Sequence, residues 1–122
     1  MEFLEVTLDK IKELAELSSE IWHEYWPCIL SDEQIDYMVN KFQSEHAMLE
    51  QIKKENYTYY FIVKDGNICG YLGISRKKDY LFLSKLYIKK EYRHQGIGRL
   101  AFEKIKEIAD NFGYAKIRLT VN

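Results

Sequence analysis

Proline occurs once in these 122 residues, at Pro27, and cysteine twice, at Cys28 and Cys69. The cysteines are far apart and form no C-x-x-C pair, which argues against a disulfide framework or a zinc site. They read as two small buried hydrophobes of a reducing compartment. No apolar run approaches the ~20 residues that span a bilayer. The opening "MEFLEVTLDK" carries acids where a secretory leader has a basic region and an apolar core. A soluble, cytoplasmic protein with no membrane partner is expected. Neither charge dominates: 18 Lys and Arg stand against 19 Asp and Glu, a net −1. That balance argues against a nucleic-acid binder, which is usually strongly basic, and leaves room only for a local basic patch. Repeats, linkers and low-complexity tracts are missing too, so a single domain over 1–122 is expected. The chain has no H-E-x-x-H, paired-carboxylate or Ser/His/Asp arrangement, and no metal is expected.

Aromatic residues are plentiful at 15%, with 10 Tyr, and give a small chain large side chains for its core. Phe3 to Val6 is a short strand. Thr7 or Asp9 is placed to cap a helix to about Tyr25, apolar at Leu8, Ile11, Leu14, Ala15, Leu17, Ile21, Trp22 and Tyr25, which Pro27 stops. A second helix opens at Ser31 or Asp32 with acids in its first turn, and a third at Ser44. The period then shortens. "YTYYFIVKDGNICGYLGI" is β-branched and aromatic on both sides of Asp65-Gly66-Asn67, a hairpin signal. Gly70 and Gly73 in its second arm predict a bulge or a close backbone approach. "YLFLSKLYI" is another strand. A five-residue turn leads to a helix from about Gly96 to Phe112, buried along Ala101, Ile105, Ile108, Ala109 and Phe112 and stopped by Gly113. "AKIRLTV" is the last strand. The order β-α-α-α-β-β-β-α-β gives an α/β (α+β) class with a mixed sheet, the last helix suiting a right-handed crossover between parallel strands.

Gly96 and Gly98 stand in "YRHQGIGRL", a basic run just before that last helix. A P-loop needs G-x-x-x-x-G-K-[ST], which is absent. The dinucleotide pattern G-x-G-x-x-[GA] is formally met by Gly96, Gly98 and Ala101, but its context fails. It should open the first βαβ unit through a tight turn, with an acid after the next strand, and Asn122 stands there. The third reading is a pyrophosphate clamp, R-x-x-G-x-G, formed by Arg93, Gly96 and Gly98. A helix start leaves backbone N–H groups unpartnered at the positive end of the macrodipole. No Ser, Thr, Asp or Asn stands at the cap, and the glycines leave room for a phosphate. Arg99 in the first turn is unfavourably placed unless an anion binds. A plain turn with a solvated Arg99 is the alternative.

"RHQGIG" resembles the R/Q-x-x-G-x-G/A signature of the GNAT superfamily, the GCN5-related N-acetyltransferases. It follows a strand at the family's usual distance, and the order of elements agrees along the whole chain. "NICGYLGI", "LFLSKLYI" and "IRLTVN" look like that family's third, fourth and fifth strands. The resemblance implies acetyl-CoA as co-substrate and an amine of a small molecule or peptide as acceptor. It implies that the fourth strand holds the pantetheine arm at Leu86, Tyr87 and Ile88, with the Ile88 N–H polarising the thioester oxygen. The pyrophosphate would lie on the turn formed by His94, Gln95, Gly96, Ile97, Gly98 and Arg99, with Arg93 acting by charge or by shaping the loop. Asn122, ending the fifth strand, joins the cofactor-binding set.

Family members continue past the fifth strand with a helix whose tyrosine often protonates the departing thiolate, then two more strands. The chain is expected to be a C-terminally incomplete form, and no tyrosine is assigned as acid. A homodimer through the exposed fifth-strand edge is expected. A catalytically incomplete CoA-binding or interaction module is the alternative to an enzyme. The glutamate that many members carry on the fourth strand is missing; Ser84 and Lys85 are the polar residues there. His23 and Glu24 could face the acceptor or lie on the surface, and His46 reads as surface. Trp22, Tyr25 and Trp26 could line an aromatic acceptor pocket or belong to the core.

Overall fold

The computed structural model describes residues 1–26 and 29–119. Strand β1 (Glu2–Glu5) leads through a 3-10 turn at Leu8–Lys10 into helix α1 (Ile11–Tyr25). Helices α2 (Asp32–Phe42) and α3 (Glu45–Lys54) follow, then strands β2 (Tyr57–Lys64), β3 (Asn67–Arg76) and β4 (Leu81–Ile88). A 3-10 turn at Lys90–Tyr92 precedes helix α4 (Ile97–Phe112) and strand β5 (Ile117–Leu119). The sheet order is β1-β2-β3-β4-β5. The first three pairings are antiparallel, and β4 and β5 run parallel across the α4 crossover. This is the expected α/β class and element order.

Local chemistry accounts for the boundaries. Ser31 caps α2 with a full capping box: its hydroxyl accepts from the Gln34 N–H while Gln34 Oε1 accepts from the Ser31 N–H. Ser44 caps α3 through the Ala47 N–H. Thr7 is different: its hydroxyl turns to the Asp9 carboxylate and caps no backbone donor. Asp65 and Gly66 both take positive φ, 52° and 79°, as the tight β2–β3 hairpin requires. Gly113 ends α4 in the left-handed region and donates to the Asp110 carbonyl.

The sheet is buried on both faces. Alternation along β2 sends Tyr59, Phe61 and Val63 against Ile11, Leu14, Leu17 and Ile21 of α1 and Met48 of α3. On the opposite face Ile62, Leu72, Ile74, Leu81 and Leu83 meet Ile97, Ala101, Ile105, Ile108 and Ala109 of α4. The α4 stripe differs from the expected one at its C-terminal end. Phe112 is 53% exposed and lies under the Arg76 guanidinium, 5.4 Å from the ring centroid. Ile97 takes the fifth buried place at the other end. Gly70 is a close-approach glycine, since a Cβ there would lie 2.3 Å from the Tyr87 carbonyl oxygen. Gly73 leaves space for the buried Tyr59 ring. Cys69 is buried, with its thiol donating to the Ile62 carbonyl, while Cys28 and Pro27 lie outside the described residues.

Candidate active site

The site begins with a break in the β4 register. Gly73 pairs with Lys85, but the next residue of β3, Ile74, pairs with Leu83, so Ser84 is bulged out. Strict alternation would place Ser84 and Lys85 on opposite faces. The bulge brings both to the α1–α3 face: Ser84 bonds the Tyr57 hydroxyl at 2.6 Å, and Lys85 Nζ donates to the Tyr59 hydroxyl at 2.6 Å. After it, Leu86 and Ile88 pack towards α4, and Tyr87 joins the aromatics on the α1–α3 face.

Backbone direction along β4 is fixed by one bond. The Lys89 N–H donates to the Cys69 carbonyl of β3 at 2.8 Å. In an extended strand successive backbone groups point to opposite edges, so Tyr87 also faces β3, while Leu86 and Ile88 face the β5 side. There β4 and β5 are paired only from Leu81↔Ile117 to Leu83↔Leu119 among the described residues. The N–H and C=O of Leu86 and the N–H of Ile88 therefore open onto a gap beside β5. The Ile88 carbonyl is used internally and accepts from Arg93 Nε at 3.1 Å.

That bond also explains Arg93. Its guanidinium lies 3.6 Å from the centroid of the Tyr25 ring, so it clips the turn after β4 to both the strand and α1. Among the described residues Nη2 has no partner, though it is buried. Glu24 accepts from the Lys90 N–H at 3.0 Å, and Glu20 lies 3.7 Å from Lys89 Nζ. The C-terminal end of α1 thus braces the turn with its acids, and Glu24 serves the backbone there.

Beyond Arg93 the turn becomes a row of free donors. His94 and Gly96 have φ of 64° and 78°, and Gly96 caps α4 with no side-chain bond. The first backbone bond of the helix is Leu100 N–H to the Gly96 carbonyl. Among the described residues, none of the six N–H groups from His94 to Arg99 donates to a protein acceptor. A Cβ on Gly96 or Gly98 would touch nothing within 4 Å, so packing does not require either glycine. Gln95 holds Lys64 Nζ through its side chain at 2.7 Å, and Arg99 is exposed. Six donors at a helix start fit a diphosphate, and the free edge of β4 fits an amide-bearing arm beside it. Leu86, Ile88 and the run from Arg93 to Arg99 are thus brought to one edge. Tyr87 contributes its ring, and Asn122 lies outside the described residues.

On the other face of β4 a cleft of about 790 Å³ opens between the end of α1, α2 and the bulge. Trp22, Tyr25, Trp26, Tyr57 and Tyr87 form its walls, and Leu83, Leu86, Phe102 and Leu119 connect it to the β4–β5 gap. Trp22 is both core and wall, buried while lying 5.6 Å from the Tyr87 ring. Lys85, 6% exposed, sits on the floor. Its ammonium donates to the Phe42 carbonyl at 2.7 Å, Gln51 Oε1 at 3.0 Å and the Tyr59 hydroxyl. Burial pulls its pKa down to about 7, against a weaker upward pull from Glu55. A polar triad of Ser18, Gln43 and Tyr71 lies buried nearby.

His23 faces away from this chemistry. Its Nδ1 donates to the Ser19 carbonyl at 2.7 Å and its Nε2 to Asp36 at 2.8 Å. Two acceptors favour the imidazolium, and these bonds raise its pKa. The Lys85 environment is what sequence reasoning missed. Its only signal was two polar residues in succession within an otherwise alternating strand, which is how a bulge reads.

Among the described residues no helix is long and apolar enough to cross a membrane, and no cluster of ligating side chains could hold a metal ion. A sequence model of the acetyltransferase (GNAT) family matches residues 11–122. The chain is 24% identical over 126 aligned residues to spermidine N(1)-acetyltransferase of Thermoplasma acidophilum, covering 100% of this chain and 78% of that protein. Its fold resembles that of the PaiA N-acetyltransferase of Thermoplasma acidophilum solved with coenzyme A. The TM-score is 0.83 at 21% identity, over 98% of this chain and 78% of that one. Ribosomal-protein-alanine N-acetyltransferase of Brucella melitensis biovar Abortus 2308 superposes with a TM-score of 0.68 at 13% identity, over 100% and 81% of the two chains.

Proposed function

The chain belongs to the acetyltransferase (GNAT) family, and we propose that its two-sided site transfers the acetyl group of acetyl-CoA to the primary amine of a small molecule. One observation carries this reading: six successive unpartnered N–H groups from His94 to Arg99 adjoin the free edge of β4. Acetyl-CoA supplies an acetyl group activated as a thioester. The turn from His94 to Arg99 holds the diphosphate, and Leu86 pairs with the arm as a sheet neighbour would. The Ile88 N–H, aimed into the gap, is placed to polarise a carbonyl oxygen. The aromatic cleft excludes water and presents an amine from the α1–α2 side. The reaction forms an N–C bond to the acetyl carbon and breaks its C–S bond. One proton leaves the amine nitrogen, and one reaches the sulfur. A peptide amine is the alternative acceptor.

Calorimetric titration with acetyl-CoA tests the binding half, with saturation expected in the micromolar range; no heat at high micromolar cofactor would reject the reading. Thiol release with an amine panel then separates an enzyme from a cofactor-binding module. A cytoplasmic setting, where acetyl-CoA is at hand, belongs to the same reading. So does self-association through β5, which has β4 on one side and no strand on the other among the described residues. Light scattering is expected to give twice the chain mass, and a monomer at all concentrations would reject that pairing.

A further inference from the structure

The acceptor side of the cleft has a one-sided chemistry. Among the described residues its single charged one is Lys85, and no Asp or Glu lines it. Of the acids nearby, Glu24 is engaged by the Lys90 N–H, Glu20 by Lys89 and Asp36 by His23, and Glu55, whose charge Lys85 feels, is exposed outside the lining. Glu33 lies in a neighbouring hollow of about 670 Å³ at the start of α2, which meets the cleft only at Met38. Among the described residues, a polar atom left over in the wall is also a donor, since the Trp26 indole N–H is buried with no acceptor. The Trp22 indole is likewise without a bond, but Tyr71 lies beside it.

We infer that this cleft selects an amine whose remaining body is uncharged and apolar, and that Lys85 and the missing carboxylate discriminate against polyamines. The inference rests on the proposed acetyl transfer and narrows its acceptor. A monoamine has to lose one proton to react, after which it brings no charge into the cleft. A polyamine brings a second ammonium, which needs a counter-ion or water once the aromatic walls have stripped its hydration. Lys85 offers no counter-ion: below about pH 7 it carries the same charge as the polyamine, and above it the lysine amine is neutral. Its three hydrogens already satisfy Phe42, Gln51 and Tyr59, so it cannot readily move aside. The aromatic faces attract a cation, but Lys85 Nζ already lies 5.9 Å from the centroid of the Tyr57 ring, and rings alone do not replace a carboxylate. The spermidine N(1)-acetyltransferase to which the chain is similar makes the distinction a sharp one.

The test compares spermidine and putrescine with phenylethylamine and hexylamine, by thiol release and by quenching of tryptophan fluorescence. The wild-type protein is expected to use and bind the monoamines at least tenfold better. Met38→Glu, a change on a half-exposed helical face, places a carboxylate in the cleft lining and is expected to move the spermidine-to-phenylethylamine ratio at least tenfold towards spermidine. Lys85→Gln is expected to move it the same way if the protein remains folded. Spermidine preferred by the wild type, or a ratio unmoved by Met38→Glu, overturns the inference while leaving the transferase reading intact. Turnover with no amine, despite cofactor binding, would instead count against the transferase reading.

Discussion

Gly98→Glu should make the protein more stable and useless at the same time. Gly98 is the second residue of α4, and its φ is not positive. A Cβ built on it meets no atom within 4 Å. The fold therefore gains from the change: glutamate is better than glycine within a helix by about 0.5–1 kcal/mol. A carboxylate in the first turn adds about 0.3–1 kcal/mol against the macrodipole. A net gain of about 1 kcal/mol raises the melting temperature by roughly 3–5 °C for a domain of this size. The same side chain projects over the N–H groups that have no partner among the described residues. Losing two charge-assisted bonds, each about 1.5–3 kcal/mol, weakens diphosphate binding by at least ~100-fold, before repulsion is counted. Thermal melts and calorimetry on one preparation read both effects. Gly96→Ala is the companion, since φ of 78° makes any L-residue there cost about 1–2 kcal/mol. Acetyl-CoA affinity in Gly98→Glu within threefold of wild type would show that the glycine serves the turn alone and that the phosphate assignment is wrong.

Gly70→Ala should cost at least ~2 kcal/mol in chemical denaturation, because its Cβ would force apart the β3 and β4 backbones at Tyr87. A loss below half of that would mean that the two strands can separate freely. His23 should titrate above its ordinary 6.5 in an NMR experiment, with Asp36→Asn lowering the value. A raised folded pKa means that the α1–α2 clasp is fully present below 6.5 and is lost as pH rises through the folded value; amide exchange in α2 that slows with rising pH, after correction for the intrinsic rate, would contradict this. Lys85 has the opposite sign. Its folded pKa of about 7 against an ordinary 10.5 means the unfolded chain binds the extra proton between them. Its stability contribution is full above about 10.5 and is lost as pH falls to 7. Lys85→Met should flatten the rise in unfolding free energy between pH 7 and 9; an unchanged slope would place the ionisation elsewhere.

Much of this protein is legible in its sequence because local rules and tertiary needs agree. Ser31 and Gln34 spell out a capping box, Asp65-Gly66 a tight hairpin, and "RHQGIG" a helix start with nothing to satisfy it. Each is decided by a few neighbouring residues. Phe112 was misjudged for the opposite reason. Its helical phase puts it near the buried stripe, but α4 outlasts the sheet it covers, and the ring ends beneath Arg76 instead. Arg93 was legible as a residue of the motif but not as a brace, because its partners, Tyr25 and Ile88, are brought to it by the fold. Lys85 was hidden most deeply. Its three acceptors come from the end of α2, from α3 and from β2, and no spacing in the chain announces that meeting.

The bulge at Ser84 links the two halves of the site. A one-residue slip in a regular strand exchanges its faces; here the slip is built in, and it takes effect just before Leu86. It turns Lys85 towards α3 and the aromatic cleft, and it sets which backbone groups of Leu86 and Ile88 face the β5 side. Acceptor charge and cofactor orientation therefore depend on the same register. A substitution that removed the bulge would not trade one function for the other. It would send the Lys85 ammonium into the apolar face packed against α4, where Ile97, Ala101 and Ile105 offer it no acceptor, and the cost of burying an unpaired cation would fall on the whole fold. The strand is held in its irregular form by the very residue that gives the cleft its charge.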